Sequence, residues 1–358
     1  SREDLPSLRQ FPAAPRRFKL AFAARRQLSY AASRISALGY EDTDDVDATL
    51  RQAEDTLFKV RTGQADRGFI PLRQIYDQFL EDRAALTEPS QDTAPVMTSF
   101  NELDVLLGGM QRADMLILGA RPGLGKSTLA VNICLNAAKN GFTSGIFSLE
   151  MSREQLALRL LSAEAEVDSH LLRLGLLSEA ATQRMMTSIG ALSDLAIYMD
   201  DSPLQTVLDM RAKARRLHTD RGVDMIIVDY LQLMQSNRRH NSREQEISEI
   251  SRNLKSISKE FNVPIVALSQ LNRDLERRAD KRPMMSDLRE SGALEQDSDL
   301  ILFIYRDEFY NPESEDKNIA EIPLAKHRNG EVGICRLAFI GQYTKFANLA
   351  LGSDPAQP

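Results

Sequence analysis

An α/β fold, a mostly parallel sheet flanked by helices and preceded by a small all-α segment, is predicted by three features of the 358-residue sequence. Downstream of residue 100, apolar runs of strand length alternate with amphipathic stretches, the pattern of a parallel sheet covered by helices. One run, from Met115 to Ala120, breaks into a glycine-rich loop that ends in Gly125, Lys126 and Ser127 and opens a helix. Upstream of the sheet, apolar residues recur at helical spacing.

The helical segment comes first. Phe18, Phe22, Leu28, Ala31, Ala32, Ile35 and Leu38 lie on one face, and Gly39 supplies a stop. A second helix follows the TDD start at Thr43, with Val46, Leu50, Ala53 and Leu57 on one face, so the pair reads as a hairpin from a small helical domain. A third starts at Pro71, where Leu72, Ile75, Tyr76, Phe79 and Leu80 form a stripe at i, i+3, i+4, i+7 and i+8. That stripe packs either on its own chain or on a neighbouring subunit. Around residue 90, LTEPSQDTAPVM is polar, carries two prolines and has no period, which marks a boundary. The expected division is a remnant of an N-terminal helical domain over 1–65, a linker helix and linker over 66–97, and the α/β domain over 98–358.

The loop after Met115 reads as a phosphate cradle. Gly123 and Gly125 let successive backbone N–H groups face a triphosphate, and the following helix points its positive end at the same anion. Lys126 is placed to reach the outer phosphates and the Ser127 hydroxyl to bind magnesium. The spacing departs from G-x-x-x-x-G-K-[ST] at one point, because Ala120 occupies the first glycine position and Gly119 lies one residue early.

Two further strand ends carry acids. GIFSLE ends at Glu150 and MIIVDY reaches Asp229, and ligands of open parallel sheets sit at carboxyl strand ends. Asp229 suits a second magnesium-site carboxylate acting through water, and Glu150 a general base that orients the attacking water. A structural role for the Glu150 region is compatible with this: Ser152 and Gln155 form a capping box and leave Glu150 free. A further strand, VPIVALS, ends at Gln270, an uncharged group suited to sensing a terminal phosphate.

Composition sets limits. With 42% hydrophobic and 27% charged residues the chain can bury one large core plus a smaller unit. No apolar run approaches the roughly 20 residues of a membrane span, and SREDLPSLRQ lacks the apolar core of a signal peptide, so the protein is expected to work inside a cell. The start at Ser1, without methionine, suggests a truncated or processed product. Cys134 and Cys335 show no metal-ligand spacing and read as buried thiols.

A net charge of -6 means that nucleic-acid binding must come from local basic loops. Two occur: Arg273, Arg277, Arg278, Lys281 and Arg282, interleaved with Asp274, Glu276 and Asp280, and Arg238, Arg239 and His240 after the Asp229 strand. They are either solvated surface or the walls of a backbone-tracking groove. Near the C-terminus, Asn329 and Gly330 between EIPLAKHR and EVGICRLAF give a tight-hairpin signal that places Lys326 and Arg328 beside the turn. Such an arginine is commonly idle, but on a protruding hairpin it can reach a nucleotide on an adjacent subunit.

The succession GARPGLGKS, FSLEM, MIIVDYLQLM, VPIVALSQLNR, DLRESGALEQDSDLILF and LAKHRNGEVG resembles the hexameric replicative DNA helicases of the DnaB family over roughly residues 70–350. The LRESG run followed by EQD is absent from general RecA-like ATPases, and the Ala120 position is ordinary in a loop that resembles ARPxxGK[ST]. The resemblance implies a RecA-like P-loop NTPase that uses ATP and Mg2+. Its nucleotide-binding set is Arg121, Pro122, Gly123, Gly125, Lys126, Ser127 and Thr128, with Ser127 and Asp229 at the metal and Glu150 activating water. It implies further that Lys326 and Arg328 act in trans and that Arg289, Glu290 and Gly292 lie in a pore loop on single-stranded DNA; Gln270 is kept as the expected phosphate sensor and Arg273 as an expected accessory.

By the same resemblance the helix from Pro71 docks on the next subunit, and the N-terminal hairpin is the end of a collar domain. Six copies form a ring that translocates 5′ to 3′ on single-stranded DNA and unwinds the duplex at the replication fork. The resemblance also implies primase and a helicase loader as partners, in the cytoplasm of a bacterial or phage-infected cell. Two other readings remain: a recombinase-like filament that holds single-stranded DNA without unwinding it, and a non-motor regulatory ATPase.

Overall fold

The apolar runs form the middle of a nine-stranded sheet in the computed structural model of the chain, which describes residues 28–40, 49–50, 52–54, 56–57, 71–73, 76 and 94–349, except 204, 237–241 and 289–291. The strands are β1 (Met115–Ala120), β2 (Ser144–Ser148), β3 (Ile197–Asp200), β4 (Met225–Asp229), β5 (Ile265–Gln270), β6 (Leu300–Phe303), β7 (Ile319–His327), β8 (Gly333–Ile340) and β9 (Lys345–Asn348). Their spatial order is β3-β2-β4-β5-β1-β6-β7-β8-β9, parallel from β3 to β6 and antiparallel from β6 to β9. The helices of this unit are α1 (Asn101–Leu107), α2 (Lys126–Lys139), α3 (Arg153–Ala165), α4 (Ser169–Leu174), α5 (Glu179–Ser193), α6 (Val207–Arg221), α7 (Arg243–Phe261), α8 (Gly292–Asp297) and α9 (Asp307–Tyr310).

The two halves of the sheet follow their sequences. Strands β1, β2 and β4 are buried at every residue and β5 at all but its last, because helices cover both faces; MLILGA and MIIVD accordingly read as continuous apolar runs. Strand β7 instead alternates buried and half-buried residues from Ile319 to Leu324, as an antiparallel strand with one wetter face does. Helix α7 buries Ile247, Ile250, Leu254, Ile257 and Phe261 on one stripe, starts on Ser242, whose side chain accepts from Gln245 N–H, and stops at Asn262 in the left-handed region. Both cysteines are buried, in α2 and β8, and burial pushes each thiol up to about 12.

The chain divides into two compact units, Ser1–Glu88 and Pro89–Pro358. In the first, residues 28–38 are helical with Ala31 and Leu38 buried, whereas Leu28, Leu50 and Leu57 are exposed. Phe18, Phe22 and Val46 lie outside the described residues. Of the stripe after Pro71, Leu72 and Tyr76 are described and exposed. Ile75, Phe79 and Leu80 are outside the described set.

Two local expectations are corrected. Strand β2 ends at Ser148 rather than Glu150, because the Ser148 hydroxyl accepts from Met151 N–H at 3.1 Å and donates to the Met151 carbonyl at 2.7 Å, closing a turn. The tight Asn-Gly hairpin does not form. A two-residue turn of that kind needs positive φ at both central residues, and neither Asn329 nor Gly330 has it. Pairing of β7 with β8 stops at Leu324 and Gly333, and a register shift between Leu302 and Ile301 lets the last residues of β7 follow β6, with Ile301 opposite Lys326 and Leu300 opposite His327.

Candidate nucleotide site

The phosphate loop joins the buried end of β1 to the first turn of α2. Gly123 and Gly125 have φ of 85° and 103°, so both use the left-handed freedom only glycine has at low cost. A Cβ on Gly125 would stand 3.0 Å from Phe346 Cζ and 3.3 Å from Phe339 Cε2, so aromatic side chains press the loop into place. Gly119 has a separate task. It belongs to β1, and a Cβ there would meet Phe303 at 2.8 Å and Leu271 at 3.0 Å. Ala120 closes the strand opposite Gln270, fully buried, where a methyl group fits.

The loop opens into a cleft of about 230 Å³ lined by Arg121, Pro122, Gly123, Gly125, Lys126, Ser127 and Thr128 together with Glu150 and Gln270. The sheet brings these together because β1, β2, β4 and β5 are parallel and end on the same side, Ser148 lying opposite Asp229 and Ala120 opposite Gln270. Lys126 Nζ is 3.3 Å from Asp229 Oδ1 and 4.1 Å from the centre of the Tyr230 ring. Burial lowers the lysine's pKa, opposed by the charges of Asp229 and Glu150. Asp229 is almost wholly buried, and among the described residues its Oδ1 has Lys126 Nζ at 3.3 Å and no well-aligned hydrogen bond. It therefore keeps acceptor capacity facing the loop, which is what a metal-bound water needs.

Glu150 is exposed to the cleft and free of the cap beside it. Ser152 accepts from Gln155 N–H at 3.3 Å and its own N–H donates to Gln155 Oε1 at 3.0 Å, the capping box expected from the sequence. Gln270 is bracketed by Gln232, whose side chain accepts from the Gln270 N–H at 3.3 Å and donates to its carbonyl at 3.3 Å. Arg121 lines the cleft, but its guanidinium is committed elsewhere, to Glu276 at 2.8 Å and the Leu271 carbonyl at 2.9 Å.

Two residues of the cleft have no sequence signal of their own. Arg159 reaches it from α3, its pKa lowered by burial and supported by the charges of Asp229 and Glu150. Phe339 reaches it from β8, with Arg306 stacked 3.8 Å from its ring centre. Neither stands next to a motif, and only the tertiary packing brings them in.

Lys326 and Arg328 are not in the cleft. Arg328 N–H donates to the Asp299 carbonyl at 2.9 Å, and Asp299 accepts from the N–H of Met115, the first residue of β1. The phosphate loop leaves the last residue of that strand, a length of about 17 Å at roughly 3.3 Å per residue. An arginine side chain is shorter than that, so Arg328 cannot act on its own loop.

The basic run after β5 is mostly neutralised. Arg278 pairs with Asp287 at 2.7 Å and Arg282 with Glu321 at 2.8 Å, so neither offers a bare charge to a phosphate backbone. Arg273 is exposed. Gly292 opens α8, while Arg289, Glu290 and the loop Arg238, Arg239 and His240 lie outside the described residues. Among the described residues no helix is long and apolar enough to cross a membrane.

Comparison with known proteins agrees with this geometry. Residues 95–348 match the DnaB-like helicase C-terminal domain. The chain is 45% identical to the replicative DNA helicase DnaB of Geobacillus stearothermophilus, over 93% of this chain and 74% of that protein. It is 42% identical to the DnaB of Haemophilus influenzae, over 92% and 72%. Among solved structures, a DnaB-like replicative helicase described with its interactions with primase superimposes with a TM-score of 0.75 at 33% identity, covering 97% of this chain and 81% of the other. A second solved structure, an isolated ATPase domain, gives 0.72 at 36%, covering 80% and 100%. The loop, the acids at neighbouring strand ends and these likenesses place the chain in the DnaB-like family of replicative DNA helicases.

Proposed function

We propose that the chain is the motor subunit of a hexameric ring that hydrolyses ATP with Mg2+, moves 5′ to 3′ along single-stranded DNA and unwinds duplex DNA at the replication fork. The observation that carries this reading is the placement of Arg328 a strand's length from its own phosphate loop. A site assembled from one subunit lacks that arginine, so hydrolysis depends on a neighbour, and a closed ring gives every site one.

Within one subunit the division of labour is as follows. Lys126 and the backbone of Gly123 and Gly125 bind the phosphates, and Ser127 and Asp229 are the residues that would hold Mg2+, which supplies neutralisation of phosphate charge. Glu150 orients and deprotonates water, and Gln270 contacts the terminal phosphate without adding repulsion. In the neighbour, Arg328 and Lys326 stabilise the charge that develops on the transferred phosphoryl group. Arg289, Glu290 and Gly292 follow the DNA backbone, with Arg273 nearby, and the helix from Pro71 docks on the adjacent subunit. Primase is a partner proposed by analogy with the solved DnaB-like helicase described with it, a loader is proposed from the family resemblance alone, and the bacterial cytoplasm is the compartment that fits such work. The domain limits 1–65, 66–97 and 98–358 belong to the same reading.

The test is unwinding of a forked duplex carrying a 5′ or a 3′ single-stranded tail, at fixed salt. Unwinding with the 5′ tail and none with the 3′ tail is expected. Filaments and strand binding without unwinding would instead support a recombinase-like protein, and an ATPase rate indifferent to single-stranded DNA would support a regulatory one.

A further inference from the structure

Lys326 and Arg328 are both engaged on their own subunit. Lys326 Nζ donates to the carbonyls of Glu295 at 2.5 Å and Ser298 at 2.7 Å, at the C-terminal end of α8, where unpaired helix carbonyls favour a cation. Burial lowers this lysine's pKa. The Arg328 guanidinium lies 3.4 Å from Asp299 Oδ1. Asp299 is itself fixed: its Oδ2 accepts from Met115 N–H at 2.8 Å and pairs with Lys255 from α7.

Burial alone would push the Asp299 carboxyl up, but the Lys255 ammonium, the Met115 N–H and Arg328 hold it below the usual carboxylate range. One buried carboxylate thus carries two cations on separate oxygens. Lys255 is 14% exposed and Arg328 is 61% exposed, so Arg328 is the one able to leave.

The position of Asp299 in the chain gives this pairing a consequence. Helix α8 follows directly in sequence on the residues assigned to the DNA loop, and Asp299 comes two residues after its end. On the other side of that loop, Leu288 is bridged to Leu271, the residue after Gln270. The stretch from Gln270 to Asp299 therefore joins the phosphate end of the sheet to the end that holds Arg328.

We propose that Asp299 is a positioning residue that holds Arg328 on its own subunit, beside Lys326 at the end of α8, until DNA at the preceding loop releases Arg328 to the neighbouring nucleotide site. This rests on the proposed reading of Arg328 as a trans residue and of residues 289–292 as the DNA loop. The step is an exchange of partners: the guanidinium leaves a carboxylate already shared with Lys255 and meets phosphate oxygens, so it stays paired with an anion in both states. Such a balance is what a switch between two positions requires.

The experiment compares ATP hydrolysis by assembled rings, with and without single-stranded DNA, for the unaltered chain, Asp299→Asn and Lys255→Met. Asparagine keeps an acceptor for Met115 N–H but removes the charge that holds Arg328. The rate without DNA should rise several-fold and the stimulation by DNA should fall towards one, with KM for ATP unchanged. Lys255→Met leaves Asp299 to Arg328 alone and should act in the opposite direction.

A second readout does not depend on turnover. The chain has no tryptophan, so Val332→Trp, on an exposed residue shortly after Arg328, reports the position of this segment. Its emission should shift on adding single-stranded DNA, and should already be shifted without DNA when combined with Asp299→Asn. A purely structural role would move both rates by one factor and leave the stimulation unchanged in both variants, which overturns the proposal. If neither variant folds, an unshifted reporter in the otherwise unaltered chain overturns it. Arg328→Ala separates the two readings: full DNA-stimulated hydrolysis in that variant refutes the trans role, whereas its loss alongside unchanged stimulation in the other two refutes the latch alone.

Discussion

The phosphate-loop end of the sheet and the Arg328 end are built on different principles. At the first, Lys126, Asp229, Glu150 and Gln270 project from the ends of buried parallel strands, and aromatic side chains fix the loop. At the second, Lys326 lies near the end of an antiparallel strand past a register shift and Arg328 just after it, their side chains held by helix-end carbonyls and one ion pair. A shared site needs rigidity at one end more than at the other. Under the proposed roles, the groups that bind ground-state nucleotide are preorganised, and those needed only as charge develops sit on an edge from which a side chain can leave.

The largest effect expected from breaking this contrast is at the rigid end. Lys126→Ala leaves Asp229 buried beside an empty position and removes the phosphate ligand, a loss of about 3 kcal/mol or more, beyond 100-fold in affinity. A fluorescent ATP analogue titrated onto the variant should show no saturable binding, and retained affinity would contradict the cradle. At the releasable end, Arg328→Ala should leave that titration unchanged while lowering DNA-stimulated kcat by roughly 10³-fold, as loss of a trans arginine does.

Smaller effects are expected on stability. Gly119→Ala forces a methyl group against Phe303 and Leu271, an overpacking cost of about 1–3 kcal/mol. Thermal melting should fall by roughly 2–6 °C for a domain of this size; an unchanged Tm would mean that the strand yields freely.

Asp114 tests the other end. Burial, and then Asp299, push its carboxyl up to about 6. A carboxyl raised above its unfolded value binds its proton more tightly in the folded chain, so stability falls as pH rises from about 4 through 6 and stays low above that. Asp114→Asn should therefore stabilise the protein by about 1 kcal/mol at pH 8, after allowing for its partial exposure, with the gain vanishing near pH 4. Urea melts at the two pH values check this, and an equal gain at both would refute it.

Sequence makes the rigid end easier to read than the releasable one. Strands buried on both faces advertise themselves as unbroken apolar runs, and Ser152 with Gln155 is a signal complete within four residues. The segment after His327 misleads because Asn329 and Gly330 are a local turn signal, while the pairing of Lys326 and His327 with β6 depends on a strand more than 20 residues away in sequence. The basic run misleads for the same reason. Arg282 finds Glu321 across 39 residues of sequence, and no inspection of neighbouring residues reveals such a partner. Arg159 and Phe339 enter the cleft only through the docking of α3 and β8, which periodicity does not specify.

Mixing two inactive variants shows whether each nucleotide site is completed by the adjacent subunit. Glu150→Gln keeps Arg328 but cannot activate water, and Arg328→Ala keeps Glu150 but cannot complete its neighbour. In rings assembled from equal amounts, about a quarter of the sites pair an intact Glu150 with an intact Arg328 from next door. DNA-stimulated ATP hydrolysis should reappear in the mixture at a measurable fraction of the unaltered rate, whereas a mixture as inactive as its two components would contradict the account.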